Sequence, residues 1–145
     1  YACAGGAFTT TTVDLSNTYL NWARENFLAN GFSVAKHQFI KADAKEWVKQ
    51  TPSRLYDLVV LDPPTMSRSK MAKTKFEVQP DHPELINHVL QHMVPGGVLY
   101  FSNNFREFKF QPQLIRASQI EDITQDTIPK DFRNKRIHTC WRIVK

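Results

Sequence analysis

Leu58-Val59-Val60-Leu61-Asp62-Pro63-Pro64 is the stretch on which the fold turns. A short apolar run bounded by turn-formers reads as a strand buried on both faces, as in a parallel sheet. Neither Pro63 nor Pro64 has an N–H, so the two stop the ladder and stiffen the loop. Asp62 therefore leaves the strand at its carboxyl end, the end outside which open α/β sheets bind their ligands.

The same alternation extends in both directions. Upstream, residues 8–13 (Phe-Thr-Thr-Thr-Thr-Val) read as a strand set off by Gly5-Gly6. A helix is expected from Asn17, with Leu20, Ala23, Phe27 and Leu28 at helical spacing and Asn30-Gly31 as its stop. Residues 38–42 form a second strand. Asp43-Ala44-Lys45-Glu46 then has the pattern of a capping box, for a helix ending near Thr51-Pro52. Downstream, residues 65–80 are polar and irregular. Asp81-His82-Pro83-Glu84 reads as a second capping box, for a helix reaching about Met93, where Pro95-Gly96-Gly97 breaks it. A strand over 98–102 follows, then two more over 119–128 and 136–144, joined by a basic turn with Lys130, Arg133 and Lys135. This order predicts an α/β fold with a mostly parallel sheet, helices on both faces and one antiparallel strand at the edge.

Asp14, Asp43 and Asp62 each follow a predicted strand. Asp14 can take both ribose hydroxyls of a nucleoside, since one carboxylate offers two acceptor oxygens. It or Ser16 can equally cap the next helix. Asp43 can accept from the exocyclic amine of adenine, although the capping box accounts for it as well. The repeated placement of an acid at a strand end favours the nucleoside reading.

The order strand, Asp62-Pro63-Pro64-Thr65, Pro95-Gly96-Gly97, strand resembles the class I methyltransferases of nucleic acids, a Rossmann-like fold. The similarity is closer to the C-terminal domain of the bifunctional ribosomal RNA large subunit methyltransferase K/L family. It is carried by Asp62-Pro63-Pro64-Thr65, Phe76-Glu77-Val78-Gln79 with Asp81-His82, Phe101-Ser102-Asn103-Asn104, Asp131-Phe132, Ile137-His138 and Cys140-Trp141. The resemblance implies methyl transfer from S-adenosylmethionine to N7 of a guanine in 23S rRNA, in the cytoplasm. By position, Asp14 and Ser16 would hold the ribose, and Asp43 and Ala44 the adenine. Asp62, Pro63 and Pro64 would form the floor by the methyl group and target base, with Asn103 and Asn104 contacting the base. The family's glycine loop and the strand before it have no counterpart in these residues. Residues 1–145 thus read as one methyltransferase domain that lacks its first strand, with further domains expected upstream.

Guanine N7 presents an in-plane lone pair and needs no general base, so alignment and electrostatics suffice. A cytosine C5 methyltransferase shares the Asp-Pro-Pro layout but needs a cysteine nucleophile. Cys3 and Cys140 lie outside both loops where one is expected. A nicotinamide-dependent oxidoreductase would share the sheet and the ribose acid, and a noncatalytic RNA-binding fragment is a further alternative.

The 145 residues are 41% hydrophobic, enough for a buried core. A net charge of +5 suits a polyanionic partner without specifying one. Arg68, Lys70, Lys73 and Lys75 follow the Asp-Pro-Pro loop and suit either phosphate binding or a solvated loop. Phe105, Phe108 and Phe110 read as core before base-stacking. The histidines and cysteines lack zinc spacing, so no metal is expected. No apolar run suits a membrane span.

Overall fold

A computed structural model describes residues 1–67, 75–133 and 137–145. The chain divides into two compact units.

The first unit runs from Tyr1 to Trp47. Strand β1 (Thr10–Asp14) pairs in parallel with β2 (His37–Lys41), with Thr10 opposite His37 and Asp14 opposite Lys41. Helix α1 (Asn17–Ala29) joins them; Ser16 caps it, its side chain accepting from the Tyr19 N–H. The chain leaves the helix through Gly31, whose positive φ of 73° suits a residue without a side chain. The periodic reading of α1 holds for Leu20, which is buried, and for half-buried Ala23 and Phe27. Phe27 meets Phe32, His37 and Phe39. Leu28 is exposed, off the packed face. Helix α2 (Ala44–Trp47) is a single turn, shorter than expected. Its cap is local, with the Lys45 N–H donating to Asp43 Oδ1 at 3.0 Å.

The second unit takes the described chain from Val48 onward. Strand β3 (Tyr56–Leu61) pairs in parallel with β6 (Met93–Asn103). Strand β8 (Thr139–Val144) pairs antiparallel with β6 on one side and with β7 (Gln119–Asp122) on the other. The order is therefore β3-β6-β8-β7. The antiparallel strand lies one place inside the edge that the sequence pattern suggested. The reason is that β7 inserts at the outside and β8 returns between it and β6. The predicted strand over 119–128 is half strand and half helix, because α4 (Thr124–Thr127) follows β7 directly.

The described ends of the polar stretch after the Asp-Pro-Pro loop carry regular structure. Strands β4 (Met66–Ser67) and β5 (Phe76–Glu77) pair antiparallel and lead into α3 (Val78–Gln91). Helix α3 begins at Val78, ahead of the expected box at Asp81. Asp81 instead reaches back, its carboxylate accepting from the Glu77 N–H at 3.1 Å. Pro83 leaves the Gln79 carbonyl without its usual helical donor, and the His82 ring fills the gap. His82 Nδ1–H donates to the carbonyls of Gln79 (2.8 Å) and Val78 (3.1 Å), while Nε2 accepts from the Gln111 N–H. This fixes the tautomer.

Helix α3 buries Val78, His82, Pro83, Leu85, Ile86, Val89 and Leu90, one continuous stripe. Phe108 and Phe110 pack around Phe101, His82 and Trp141, with Phe110 and Trp141 stacked at 4.3 Å. Core packing is thus the use of these two phenylalanines. Gln79 brackets the segment by pairing with both backbone groups of Lys109, and Asn87 ties Leu114 and Arg116 in the same way.

The apolar run on β3 departs from its reading as doubly buried. Leu58 and Val60 are 50% and 72% exposed. They share one face by alternation, and among the described residues β3 pairs with β6 alone.

Burial pushes the pKa of His82 below its ordinary value of 6.5. Above that value neither folded nor unfolded chain is charged here, and stability is full. As pH falls below it, the unfolded chain binds a proton that the folded one resists, and stability declines. Urea midpoints taken down to pH 5 should show this loss, and His82→Asn should flatten it; an unchanged slope in the variant would sink the assignment. Separately, Ile86→Ala should cost about 2–5 kcal/mol by chemical denaturation, since Ile86 is fully buried.

Candidate active site

In the first unit two carboxylates stand at the carboxyl ends of neighbouring parallel strands. Asp14 ends β1, and Asp43 lies two residues past the end of β2. The Ala42 N–H donates to the Asp14 carbonyl, which keeps the two strand ends together. Asp14 Oδ1 accepts from the Ser16 N–H at 2.7 Å. Asp43 Oδ1 accepts from the Lys45 N–H at 3.0 Å. Each acid is thus oriented through one oxygen, while the second has no partner among the described residues. This pair of acceptors fits a nucleoside, with Asp14 toward ribose hydroxyls and Asp43 toward an exocyclic amine. Ser16 is spent on capping α1, and Ala44, exposed at the start of α2, offers only backbone and a methyl group.

In the second unit the Asp-Pro-Pro loop is held from the neighbouring strand. Leu61 sits opposite Phe101 in the parallel register, so Asp62 and Ser102 emerge side by side. Ser102 Oγ donates to Asp62 Oδ1 at 2.9 Å. Thr65 Oγ1 donates to Asn104 Oδ1 at 3.1 Å, a second tie from the same two chain segments. The Thr65 carbonyl accepts from the Val78 N–H, which closes the loop against the start of α3. Pro63 is half-buried; Asp62 and Pro64 are exposed. The arrangement presents a carboxylate and an amide N–H₂ on a loop with little freedom to move.

Asn103 is not available to a substrate, contrary to expectation. It is 1% exposed. Its Nδ2 donates to Thr139 Oγ1 and its Oδ1 accepts from the Phe105 N–H. Alternation along β6 explains the exchange: Asn103 points into the core, and its neighbours Ser102 and Asn104 reach the loop. Ser102 and Thr65 stand within the stretches that carry the family resemblance, but their hydrogen bonds to the loop follow only from the register.

Cys140 lies nearer the loop than its distance in sequence suggests, opposite Ser102 in the antiparallel register. It is buried, and burial raises its thiol pKa, with the charges of Asp62 and Asp122 adding to the effect. A thiol held protonated is a poor nucleophile. Arg68, Lys70, Lys73 and Lys135 lie outside the described residues. Lys75 pairs with Glu77, which raises the lysine pKa.

Residues 1–119 match the family described as S-adenosylmethionine-dependent methyltransferase. The chain belongs to that family. The chain is 47% identical over 145 residues to "Ribosomal RNA large subunit methyltransferase K/L" of Legionella pneumophila strain Lens, covering 99% of this chain and 20% of that protein. It is 41% identical to "Ribosomal RNA large subunit methyltransferase K" of Neisseria meningitidis serogroup B, covering 99% of this chain and 41% of that one. It thus spans about a fifth of the length of its K/L relatives. Among solved structures, SMU.776, described as a methyltransferase complexed with SAH, aligns with a TM-score of 0.78 at 23% identity, over 99% of this chain and 41% of that chain. The SAM-dependent methyltransferase of Agrobacterium tumefaciens aligns with a TM-score of 0.70 at 17% identity, over 93% and 48%. At these identities the structures bear on the fold, which is that of S-adenosylmethionine-dependent methyltransferases. No helix among the described residues is long and apolar enough to cross a membrane.

Asn103 and Asn104 should separate cleanly on substitution. Asn103→Ala strands buried partners and should lower stability by about 1–3 kcal/mol. Asn104→Ala, on an exposed residue, should stay within about 0.5 kcal/mol of the parent. Thermal or urea unfolding of both variants measures the contrast.

Proposed function

We propose that the chain is the methyl-transferring part of a ribosomal RNA methyltransferase acting on N7 of guanine in 23S rRNA, in the cytoplasm. On this reading residues 1–145 are one domain of a longer polypeptide. The names of the relatives support an RNA substrate. The single observation that carries the reading at the site is the Asp62 carboxylate, held by Ser102 on a proline-stiffened loop with no thiolate nucleophile beside it.

S-adenosylmethionine supplies a methyl group already activated on a sulfonium. Asp14 and Asp43 would hold the nucleoside end through their open carboxylate oxygens. The Asp62 loop would receive the guanine, its rigidity limiting the freedom of the base before methyl transfer. Methylation leaves positive charge on the base, which the Asp62 carboxylate offsets. No proton need leave N7, so a titrating general base is not required. The buried Cys140 thiol counts against cytosine C5 transfer, which requires covalent attack on the ring.

The test is methyl transfer from labelled S-adenosylmethionine to unmodified large-subunit rRNA by the natural polypeptide, with product nucleosides resolved by mass spectrometry. 7-Methylguanosine is expected; 5-methylcytidine would overturn the assignment. Asp62→Ala should lower kcat about 100-fold or more. Asp14→Ala should act mainly by raising KM for S-adenosylmethionine. Full activity in Asp62→Ala would remove Asp62 from the mechanism.

A further inference from the structure

Where the carboxyl ends of β6 and β7 meet the start of β8, the second unit holds a cleft of about 260 Å³. Its polar groups fall into two sets. Those at the floor are consumed by the fold. Thr139 Oγ1 accepts from Asn103 Nδ2 and donates back to the Asn103 carbonyl. Thr124 Oγ1 accepts from the Cys140 N–H and donates to the Cys140 carbonyl, pinning α4 to β8. A floor cross-tied in this way holds its shape without a ligand.

The rim groups keep polar atoms that the fold does not use. Arg106 and Gln125 line the cleft and have no side-chain partner among the described residues. Asn104 spends its oxygen on Thr65, which leaves its N–H₂ to donate. His138 Nε2 lies 2.8 Å from Thr127 Oγ1. That hydroxyl has backbone carbonyls of Ile123 and Thr124 to receive its proton, so it accepts from His138 Nε2–H and leaves the imidazole Nδ1 as an acceptor. Phe105 adds an aromatic wall, and no carboxylate lines the cleft. A guanidinium, two amides, an imidazole nitrogen and a ring surface, without an opposing acid, suit a nucleotide: phosphate oxygens on the donors and a base against the ring. The volume is just below the roughly 300 Å³ at which small-molecule pockets begin, which suits one nucleotide unit. Asn104 belongs both to this rim and to the tie with Thr65, so the cleft adjoins the Asp62 loop.

We infer that this cleft is a subsite for the nucleotide next to the target guanine in a single-stranded segment of RNA, with Arg106 on its phosphate and Gln125, Asn104 and His138 around its base. The inference rests on the RNA methyltransferase reading above and names how that substrate is gripped beside the reacting base.

The natural polypeptide is titrated by fluorescence anisotropy with a labelled single-stranded ribo-oligonucleotide, one guanine flanked by uridines, across a salt series. Arg106→Ala should weaken binding about tenfold and lower the salt slope by about one. Gln125→Ala should weaken it less and leave the slope alone. Arg54→Ala, at the amino end of β3 and so on the opposite edge of the sheet, should change neither. Affinity for S-adenosylmethionine should be the same in all three. If Arg106→Ala and Arg54→Ala behave alike, the cleft is not an RNA subsite, even where methyl transfer to rRNA continues. If Arg106→Ala lowers affinity for inorganic phosphate but not for the oligonucleotide, the cleft is an anion site and the inference falls. If the unaltered protein methylates no RNA at all, the functional reading fails first, and the assay with rRNA shows that independently.

Discussion

The register between β3 and β6 is the constraint on which the second unit depends. Leu61 faces Phe101 across a parallel ladder, so the chain leaves the sheet on both strands at the same level. Asp62 and Ser102 are neighbours for that reason alone. A slip of one residue would turn every side chain of β6 over, sending Ser102 inward and Asn103 out to the loop. The far end of the pairing resists such a slip. The strand bulges between its pairings at Met93 and Val98, and Gly96 takes a φ of 78°. Gly97 passes so close to the carbonyls of Val94, Tyr56 and Asp57 that a Cβ there would lie 3.0–3.3 Å from each. Pro95-Gly96-Gly97 is therefore more than a helix stop; it sets the phase of the strand that carries Ser102, Asn103 and Asn104.

The antiparallel β8 completes the same region from the other side. It brings Thr139 to Asn103 and Cys140 opposite Ser102, so a buried polar layer lies directly beneath the exposed loop residues. Such a layer is costly if any member is unpaired, and none of its buried side-chain atoms among the described residues lacks a partner. Its rigidity is relevant to chemistry that proceeds by alignment, because a carboxylate can orient a base only if its own position is defined. The aromatic cluster around Phe101 and Trp141, sealed by neutral His82, supports that layer from within the core.

Much of this was readable in the order of residues. Local chemistry announces itself locally: a four-residue apolar run closed by Asp62 and two prolines, an acid after each of the first three strands, an Asn-Gly helix stop. These follow from backbone sterics and periodicity, which neighbours in sequence impose on each other. Where the reading went astray, a partner distant in sequence had intervened. Helix α3 starts at Val78, where Asp81 accepts from the Glu77 N–H and the His82 ring serves the Gln79 carbonyl that Pro83 cannot, and His82 is itself held by the distant Gln111. The strand over 119–128 yields to α4 because Thr124 bonds to Cys140.

The sequence by itself determined the alternation of strands and helices, the stiff Asp62-Pro63-Pro64 turn at a strand end, and the placing of Asp14 and Asp43 at the ends of β1 and β2. Each depends on propensities and spacings within a few residues. Tertiary structure alone decided that β8 lies inside β7, that Leu58 and Val60 stand exposed, that Ser102 and Thr65 hold the loop, and that Asn103 is buried while Asn104 is not. Those outcomes depend on which strands pair and in what register. Register is a property of two segments together, and in β3 and β6 those segments are some forty residues apart.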